Sequence, residues 1–189
     1  MIENSKIVAV LDACVLYAAP LRDILLNLAE QGIYDPKWSE IITNEWFSNL
    51  LKNRPDLKEE SLRRTISFME KKFEDATVTD FDHHITTIQI PDPDDRHVVA
   101  CAIQCEAEII VTKNLKDFPT EELAKYNLIA QHPDDFICDL IRMNKQATVD
   151  ALNAQLKMLI NPLVTKEELL ETFKKQGLPK AAELFKSER

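Results

Sequence analysis

Four acidic residues that lie far apart in the chain could together carry metal-dependent chemistry. They are Asp12, Glu45, Asp95 and Asp117. Two carboxylates within about 5 Å repel each other by roughly 3 kcal/mol at an effective dielectric of about 20, so an empty cluster would be costly or would take up protons. Mg²⁺ or Mn²⁺ would remove that cost, because both ions prefer hard oxygen ligands. A site of this kind can activate water and neutralise charge on a phosphodiester as it is cleaved.

Each of these acids, taken alone, also has a purely structural interpretation. Asp95 could favour the dipole of the helix that it begins, and Asp117 could form an Asx turn in the loop after its strand. Asp12 is harder to explain in this way. It follows the apolar run IVAVL, and a carboxylate there would be costly in a protein core without a partner.

The predicted strands indicate how three of the acids could meet. Residues 7–11 suit a buried parallel strand, which ends at Asp12, and residues 108–112 form a second strand with Asp117 just beyond it. In open α/β sheets, ligand sites form at the carboxyl ends of the strands, where the helix begun by Asp95 would also start. We therefore expect these three acids to be neighbours.

Helical periodicity predicts most of the remaining elements. Ser39 is the expected N-cap of a helix that carries Glu45 in its middle, so Glu45 has to reach the site from the side of a helix. Helices are expected at about residues 21–31, 39–51, 58–73, 98–105 and 133–142, with an extended segment at 33–38, an irregular connection containing a short strand at 76–90 and a short strand at 128–130. From residue 146 onward the pattern is helical only.

This order of elements predicts an α/β fold. We expect a three-layer sandwich in which a central parallel sheet is flanked by helices. Residues 1–145 would form the main domain, and residues 146–189 a helical C-terminal extension.

Composition narrows the classes of function. The chain has 189 residues, 45% of them hydrophobic, which is enough for one substantial core. Its formal net charge of −9 argues against purely electrostatic adhesion to nucleic acid, so any RNA contact needs a local basic patch or bound cations. Two glycines cannot build a glycine-rich phosphate loop, and four cysteines without a C-x-x-C pair indicate reduced thiols. No secretory signal or membrane span is predicted, so we expect a cytoplasmic protein without membrane contact.

Four segments resemble the successive motifs of PIN domains, in particular those of the VapC-like toxin branch. They read VLDACVLYAAPLRD, WSEIITNEWFSNLL, IPDPDDRHVVACAI and AEIIVTKNLKDFP. The resemblance spans about residues 7–131, and the C-terminal helices resemble an extension that some members carry. It implies a PIN-like nuclease domain that cleaves RNA with Mg²⁺ or Mn²⁺. It also implies a cognate antitoxin protein as partner and association as a homodimer.

The resemblance assigns Asp12, Glu45, Asp95 and Asp117 as the first to fourth acids of the site. Thr112 and Asn114 match polar positions that line it. Many relatives have an acid in a T-x-D motif, whereas this chain has T-K-N and its acid three residues later. Asp94 is an alternative to Asp95 as the third acid of the site. We expect Asp94 to lie beside the metal ligands rather than among them.

Several basic and histidine residues are further candidates for the site. Arg22 and Arg96 could hold a phosphate by bidentate contacts, or they could be solvated or paired with an acid. The basic residues of the predicted helix 58–73 could steer RNA. His97 forms no useful ligand pattern with the acids, so a structural role is predicted for it.

Two other classes of function are alternatives to the nuclease. A haloacid-dehalogenase-like phosphatase would need a second acid two residues after Asp12, and Cys14 occupies that position. A noncatalytic PIN-fold interaction module, or a receiver-like domain that uses Asp12, stays open. The presence of four acids rather than one favours the nuclease.

Overall fold

A five-stranded parallel sheet forms the centre of the protein, as seen in a computed structural model that describes residues 6–187. Its strands are β1 (Ile7–Leu11), β2 (Tyr34–Ser39), β3 (Thr77–Val78), β4 (Ile109–Val111) and β5 (Ile129–Gln131). They lie in the order β3-β2-β1-β4-β5, and every neighbouring pair is parallel. Leu11 of β1 pairs with Val111 of β4, so the next residues, Asp12 and Thr112, leave the sheet side by side.

Helices cover both faces of this sheet. They are α1 (Ala13–Leu16), α2 (Ala19–Glu30), α3 (Glu40–Asn53), α4 (Glu59–Lys72), α5 (Asp82–Ile85), α6 (Arg96–Gln104), α7 (Thr120–Leu123), α8 (Pro133–Met143), α9 (Lys145–Met158), α10 (Lys166–Lys175) and α11 (Pro179–Ser187). Short 3₁₀ helices lie at Pro93–Asp95, Leu115–Asp117 and Ala124–Tyr126. The predicted α/β sandwich with a central parallel sheet is therefore confirmed.

β1 is the middle strand of the sheet and is buried at its carboxyl end. Its last three residues, Ala9, Val10 and Leu11, are completely buried, as expected for a parallel strand that is covered on both faces. On one face, α6 contacts β1, β2 and β4 through its buried residues 98–102. The strand ends and the start of α6 are thereby fixed to the same rigid core.

Local signals determine where α2 and α3 begin and end. α2 has Pro20 in its first turn, and the chain turns at Gly32, whose φ of +72° suits glycine. Ser39 caps α3 as predicted, because its Oγ accepts from the backbone N–H of Ile42 at 3.2 Å. The short helices α5 and α7 were not predicted, since four residues are too few to show helical periodicity.

The C-terminal helices α9, α10 and α11 share the core of the preceding domain. α9 and α10 contact α2, and α11 contacts α8. Gln155 of α9 is buried and its Nε2 donates to the carbonyl oxygen of Pro20 at 3.1 Å. The division of the chain into residues 1–145 and 146–189 stays a prediction. Within residues 6–187, the helices are too short or too polar to cross a membrane.

Candidate active site

Asp12 lies at the carboxyl end of the central strand, at the point where β1 passes into α1. Its backbone N–H continues the sheet by donating to the carbonyl oxygen of Val111 at 3.1 Å. Its side chain is only 5% exposed, yet it has polar partners. Oδ2 accepts from Thr112 Oγ1 at 2.6 Å and from Cys14 Sγ at 3.0 Å. The partner that a buried carboxylate needs is thus supplied by the neighbouring strand end and the first turn of α1.

A network behind Asp12 fixes these two donors. The Thr112 hydroxyl accepts from the backbone N–H of Asn114 at 3.0 Å, which orients it toward Asp12. The Cys14 sulfur accepts from the backbone N–H of Lys113 at 3.2 Å. Burial, followed by the nearby Asp12 charge, raises the pKa of the Cys14 thiol to about 12. Cys14 therefore keeps its proton at neutral pH and remains a donor to Asp12.

Asp95 is the half-buried acid at which the charges of the site converge. It ends the 3₁₀ helix Pro93–Asp95 and begins α6. Its pKa is raised to about 6, first by burial and then by the charges of other acids. In order of effect, those acids are Asp12, Asp92, Asp117 and Glu45. The structure therefore brings all four predicted acids into electrostatic range at one edge of the sheet.

Asp92 is an acid of this edge that the sequence analysis did not single out. Its Oδ1 accepts from the backbone N–H of Asp94 at 2.9 Å, so it caps the short 3₁₀ helix that leads to Asp95. Its charge contributes more to the raised pKa of Asp95 than the charge of Asp117 or Glu45 does. The motif PDPDD could have predicted this cap, because an aspartate before a proline favours the start of a helix. Asp94 itself is exposed.

Glu45 reaches the site from the middle of α3 and contacts a histidine. Its Oε1 lies 2.9 Å from Nε2 of His97, whose side chain is 7% exposed. These two residues are 52 positions apart in the chain, and the sequence does not predict their contact because neither strand register nor helix spacing relates them. His97 therefore has a direct link to one of the four acids, beyond the structural role that was predicted for it.

Asp117 and Asn114 lie in the segment that follows β4. Asp117 is half-buried at the end of its 3₁₀ helix, and its backbone N–H donates to the carbonyl oxygen of Asn114 at 2.9 Å. Asn114 is exposed and meets Thr112 through its backbone N–H. Asp117 thus reaches the acid edge even though the T-x-D motif is replaced by T-K-N.

The two arginines differ in their surroundings. Arg22 is 6% exposed, donates from Nη1 to the carbonyl oxygen of Leu16 at 3.1 Å, and lies over the ring of Trp46 at 5.2 Å. It lines a cavity of about 560 Å³ that α2, α4 and α9 border. Within residues 6–187, no hydrogen bond or ion pair links Arg22 to the four acids. Arg96 follows Asp95 directly, and its buried Nε has no hydrogen-bond partner among the described residues.

Three of the four basic residues of α4 lie beside an acid. Arg63 pairs with Glu59, Arg64 with Glu60, and Lys72 with Glu30. Because an acid lies beside each of these three cations, they do not form a patch of unpaired positive charge. The structure therefore gives no support to the predicted role of this helix in steering RNA.

The donor set at the acid edge fits a hard divalent cation. All four predicted ligands are carboxylates, and the pKa of Asp95 is raised first by burial and then by the charges of the other three and of Asp92. Among residues 6–187, no three His, Cys, Asp or Glu side chains converge closely enough to enclose an ion by themselves. Such an open arrangement suits Mg²⁺, which usually binds one or two carboxylates and keeps several waters.

Comparison with known proteins agrees with this geometry. Residues 8–116 match the family model described as PIN domain, and residues 133–187 match the one described as VapC50 C-terminal domain. A curated protein of Mycobacterium tuberculosis named "Putative ribonuclease VapC50" is 40% identical over 96 residues, which are 49% of this chain. The match spans 57% of the length of that relative. No solved structure gives a significant match.

The resemblance to PIN domains is thereby confirmed, as is the similarity to VapC proteins with a C-terminal extension. Because the PIN domain model matches more than half of the 189 residues, the chain belongs to the PIN domain family.

Proposed function

We propose that this protein is a metal-dependent endoribonuclease and the toxin of a toxin–antitoxin system. One observation carries the proposal: Asp12, Asp117 and Glu45 all raise the pKa of Asp95, so acids from four separate segments gather at the carboxyl edge of the sheet. The name of the 40% identical relative supports ribonuclease as the activity. We further propose RNA as substrate, a cognate antitoxin as partner, the cytoplasm as location and a homodimer as assembly.

The acids would hold Mg²⁺ or Mn²⁺ together. Thr112 and Cys14 both donate to Oδ2 of Asp12, so Oδ1 is the oxygen that we assign to the metal. Asp95, Asp117 and Glu45 would complete the set of ligands. When bound, the ion supplies an activated water and neutralises negative charge on the phosphodiester.

Other residues would orient these ligands and the substrate. Thr112 and the backbone of Asn114 form the chain of hydrogen bonds that holds Asp12 in place. Asp94 lies on the exposed side of the same turn as Asp95, where it can attract hydrated cations. Arg96 lies at the start of α6 beside Asp95, so we assign it, rather than the buried Arg22, the contact with an RNA phosphate.

Cleavage by purified protein tests this proposal. The protein would be incubated with messenger, transfer and ribosomal RNA and with Mg²⁺, Mn²⁺ or a chelator. We expect cleavage only with metal, and a loss of at least about 100-fold in Asp12→Asn and Asp95→Asn, because even partners of metal ligands typically contribute 10- to 100-fold. Asp150→Asn, a change at an exposed aspartate of α9, is the matched control and should cleave normally.

Two outcomes would contradict the proposal. Metal-dependent cleavage that persists unchanged in both site variants would show that the acids at this edge are not the ligands. Tight binding of a partner protein without cleavage of any RNA class would instead support a noncatalytic PIN-fold interaction module.

A further inference from the structure

His97 contacts Glu45, one of the four acids, from the start of α6. Its ring is buried, and Nε2 lies 2.9 Å from Oε1 of Glu45. Because a carboxylate can only accept, Nε2 is the ring nitrogen that carries the hydrogen in this bond. Nδ1 is buried and has no hydrogen-bond partner within residues 6–187. Within residues 6–187, the hydrogen bond of the His97 ring is therefore made to Glu45.

The backbone that carries His97 is rigid. His97 is the second residue of α6, and the five residues that follow it are completely or almost completely buried against the sheet. The main chain at His97 is therefore held in place by a closely packed core. Asp95 begins the same helix, so one fixed helix end positions both an acid of the site and the donor that reaches Glu45.

Glu45, by contrast, needs a partner to hold one conformation. Its side chain is 39% exposed and projects from the middle of α3. A long, partly exposed glutamate loses rotamer freedom when it is fixed, and an ion pair or hydrogen bond has to offset that loss. The bond to His97 selects a conformation in which the charge of Glu45 is felt at Asp95.

We propose that His97 is a positioning residue that orients the Glu45 carboxylate toward the acid edge. It donates from Nε2 to Oε1, which directs the other carboxylate oxygen to the metal. This inference rests on the proposed function, since it concerns how a metal ligand is aimed. His97 itself would touch neither the ion nor RNA. Hydrogen-bond partners of metal ligands generally tune affinity and activity by orienting the ligand.

Two variants of similar shape separate the hydrogen bond from packing. His97→Gln keeps an amide N–H that can reach Glu45, whereas His97→Met has a similar length and no donor. Each change would be made in the natural chain and in Glu45→Ala. His83→Gln, at an exposed histidine of α5, serves as control for a histidine change near α6.

Mn²⁺ binding without RNA gives the first measurement, by electron paramagnetic resonance of free Mn²⁺. We expect His97→Met to weaken binding by about 10- to 100-fold and His97→Gln to restore most of it. In Glu45→Ala, His97→Met should have no further effect, because the group through which it acts is gone. In RNA cleavage, kcat should fall while KM for RNA changes little.

The outcomes distinguish the inference from the proposed function. Equal binding by the Met and Gln variants, or the same loss from His97→Met with and without Glu45, would overturn the role of His97 while leaving the nuclease intact. Mn²⁺ binding that follows the expected pattern in a protein that cleaves no RNA would refute the ribonuclease and keep the positioning role. A natural chain that binds no Mn²⁺ would overturn both.

Discussion

The charge of Asp95 is needed for the proposed binding of metal, but it destabilises the metal-free protein. Its pKa of about 6, against an ordinary value of 3.8, means that the folded protein binds this proton more tightly than the unfolded chain does. The contribution of Asp95 to the free energy of unfolding therefore falls as pH rises from about 4 to about 6, and the ionised group remains destabilising above that range. Burial is the largest cause, and the neighbouring acids add to it.

Asp95→Asn should therefore stabilise the metal-free protein and abolish cleavage. One pKa unit corresponds to about 1.4 kcal/mol, but the half-exposed side chain is screened by solvent, so we expect a gain nearer to 1 kcal/mol at pH 7.5. Urea denaturation at pH 4.5 and pH 7.5 measures it, and the difference between variant and natural protein should shrink at the lower pH.

Added Mn²⁺ should reverse the order of stability. The ion binds the folded state and should raise the melting temperature of the natural protein more than that of Asp95→Asn. Asp94→Asn, a change at the exposed neighbour, should behave like the natural protein in the metal-free measurement. An Asp95→Asn protein that is less stable than the natural one at pH 7.5 without metal would contradict the charge cluster.

At the scale of elements, one buried carboxylate joins the last helix to the rest of the protein. Asp134, in the first turn of α8, is 3% exposed. Its two oxygens accept from the backbone N–H groups of Lys180 at 3.1 Å and Ala181 at 2.8 Å, which are the first donors of α11. The N-terminus of α11 is therefore capped by a side chain from another helix rather than by its own preceding residue.

Asp134→Ala should loosen α11 and lower the free energy of unfolding by about 2 kcal/mol, because two N–H groups lose a charged acceptor. Urea denaturation gives the total, and hydrogen exchange should show faster exchange in α11 than in α3. Asp135→Ala is the matched control. Asp135 pairs with the exposed ammonium of Lys180, and such a surface pair contributes little. Equal effects of the two changes would argue against the capping role.

At the scale of the whole molecule, the C-terminal helices and the sheet should unfold together. Ala151 and Leu152 of α9 and Phe173 of α10 are buried in the same hydrophobic cluster as β1. Exposing these faces by unfolding the extension alone would also expose α2 and α8, against which they pack. The predicted division at residue 145 would then mark two segments of one cooperative unit.

Two spectroscopic probes can test this cooperativity. Trp38 and Trp46 are buried and lie only in residues 1–145, so their fluorescence reports that part, whereas far-ultraviolet circular dichroism reports all helices. We expect the two urea transitions to coincide within error. A dichroism change that precedes the fluorescence change would indicate that residues 146–189 unfold independently.

The local part of this architecture was predictable because its causes are local. The apolar run before Asp12 predicts a buried parallel strand, Ser39 predicts the start of α3, and Pro133 predicts the start of α8. Parallel strands share one edge, so placing Asp12, Asp95 and Asp117 there needed only the order of elements. The motifs of the resemblance predict the PIN domain family, which does not require knowledge of any side-chain contact.

Contacts between side chains from different elements required the tertiary structure. The bond between His97 and Glu45, the hydrogen bonds from Thr112 and Cys14 to Asp12, and the burial of Arg22 all depend on strand register and on the rotation of each helix about its axis. Neither quantity is encoded in the spacing of residues along one segment. The order of elements in the chain thus predicted that Asp12, Asp95 and Asp117 share one edge of the sheet, whereas only the tertiary structure added Asp92 and decided which neighbours orient the acids.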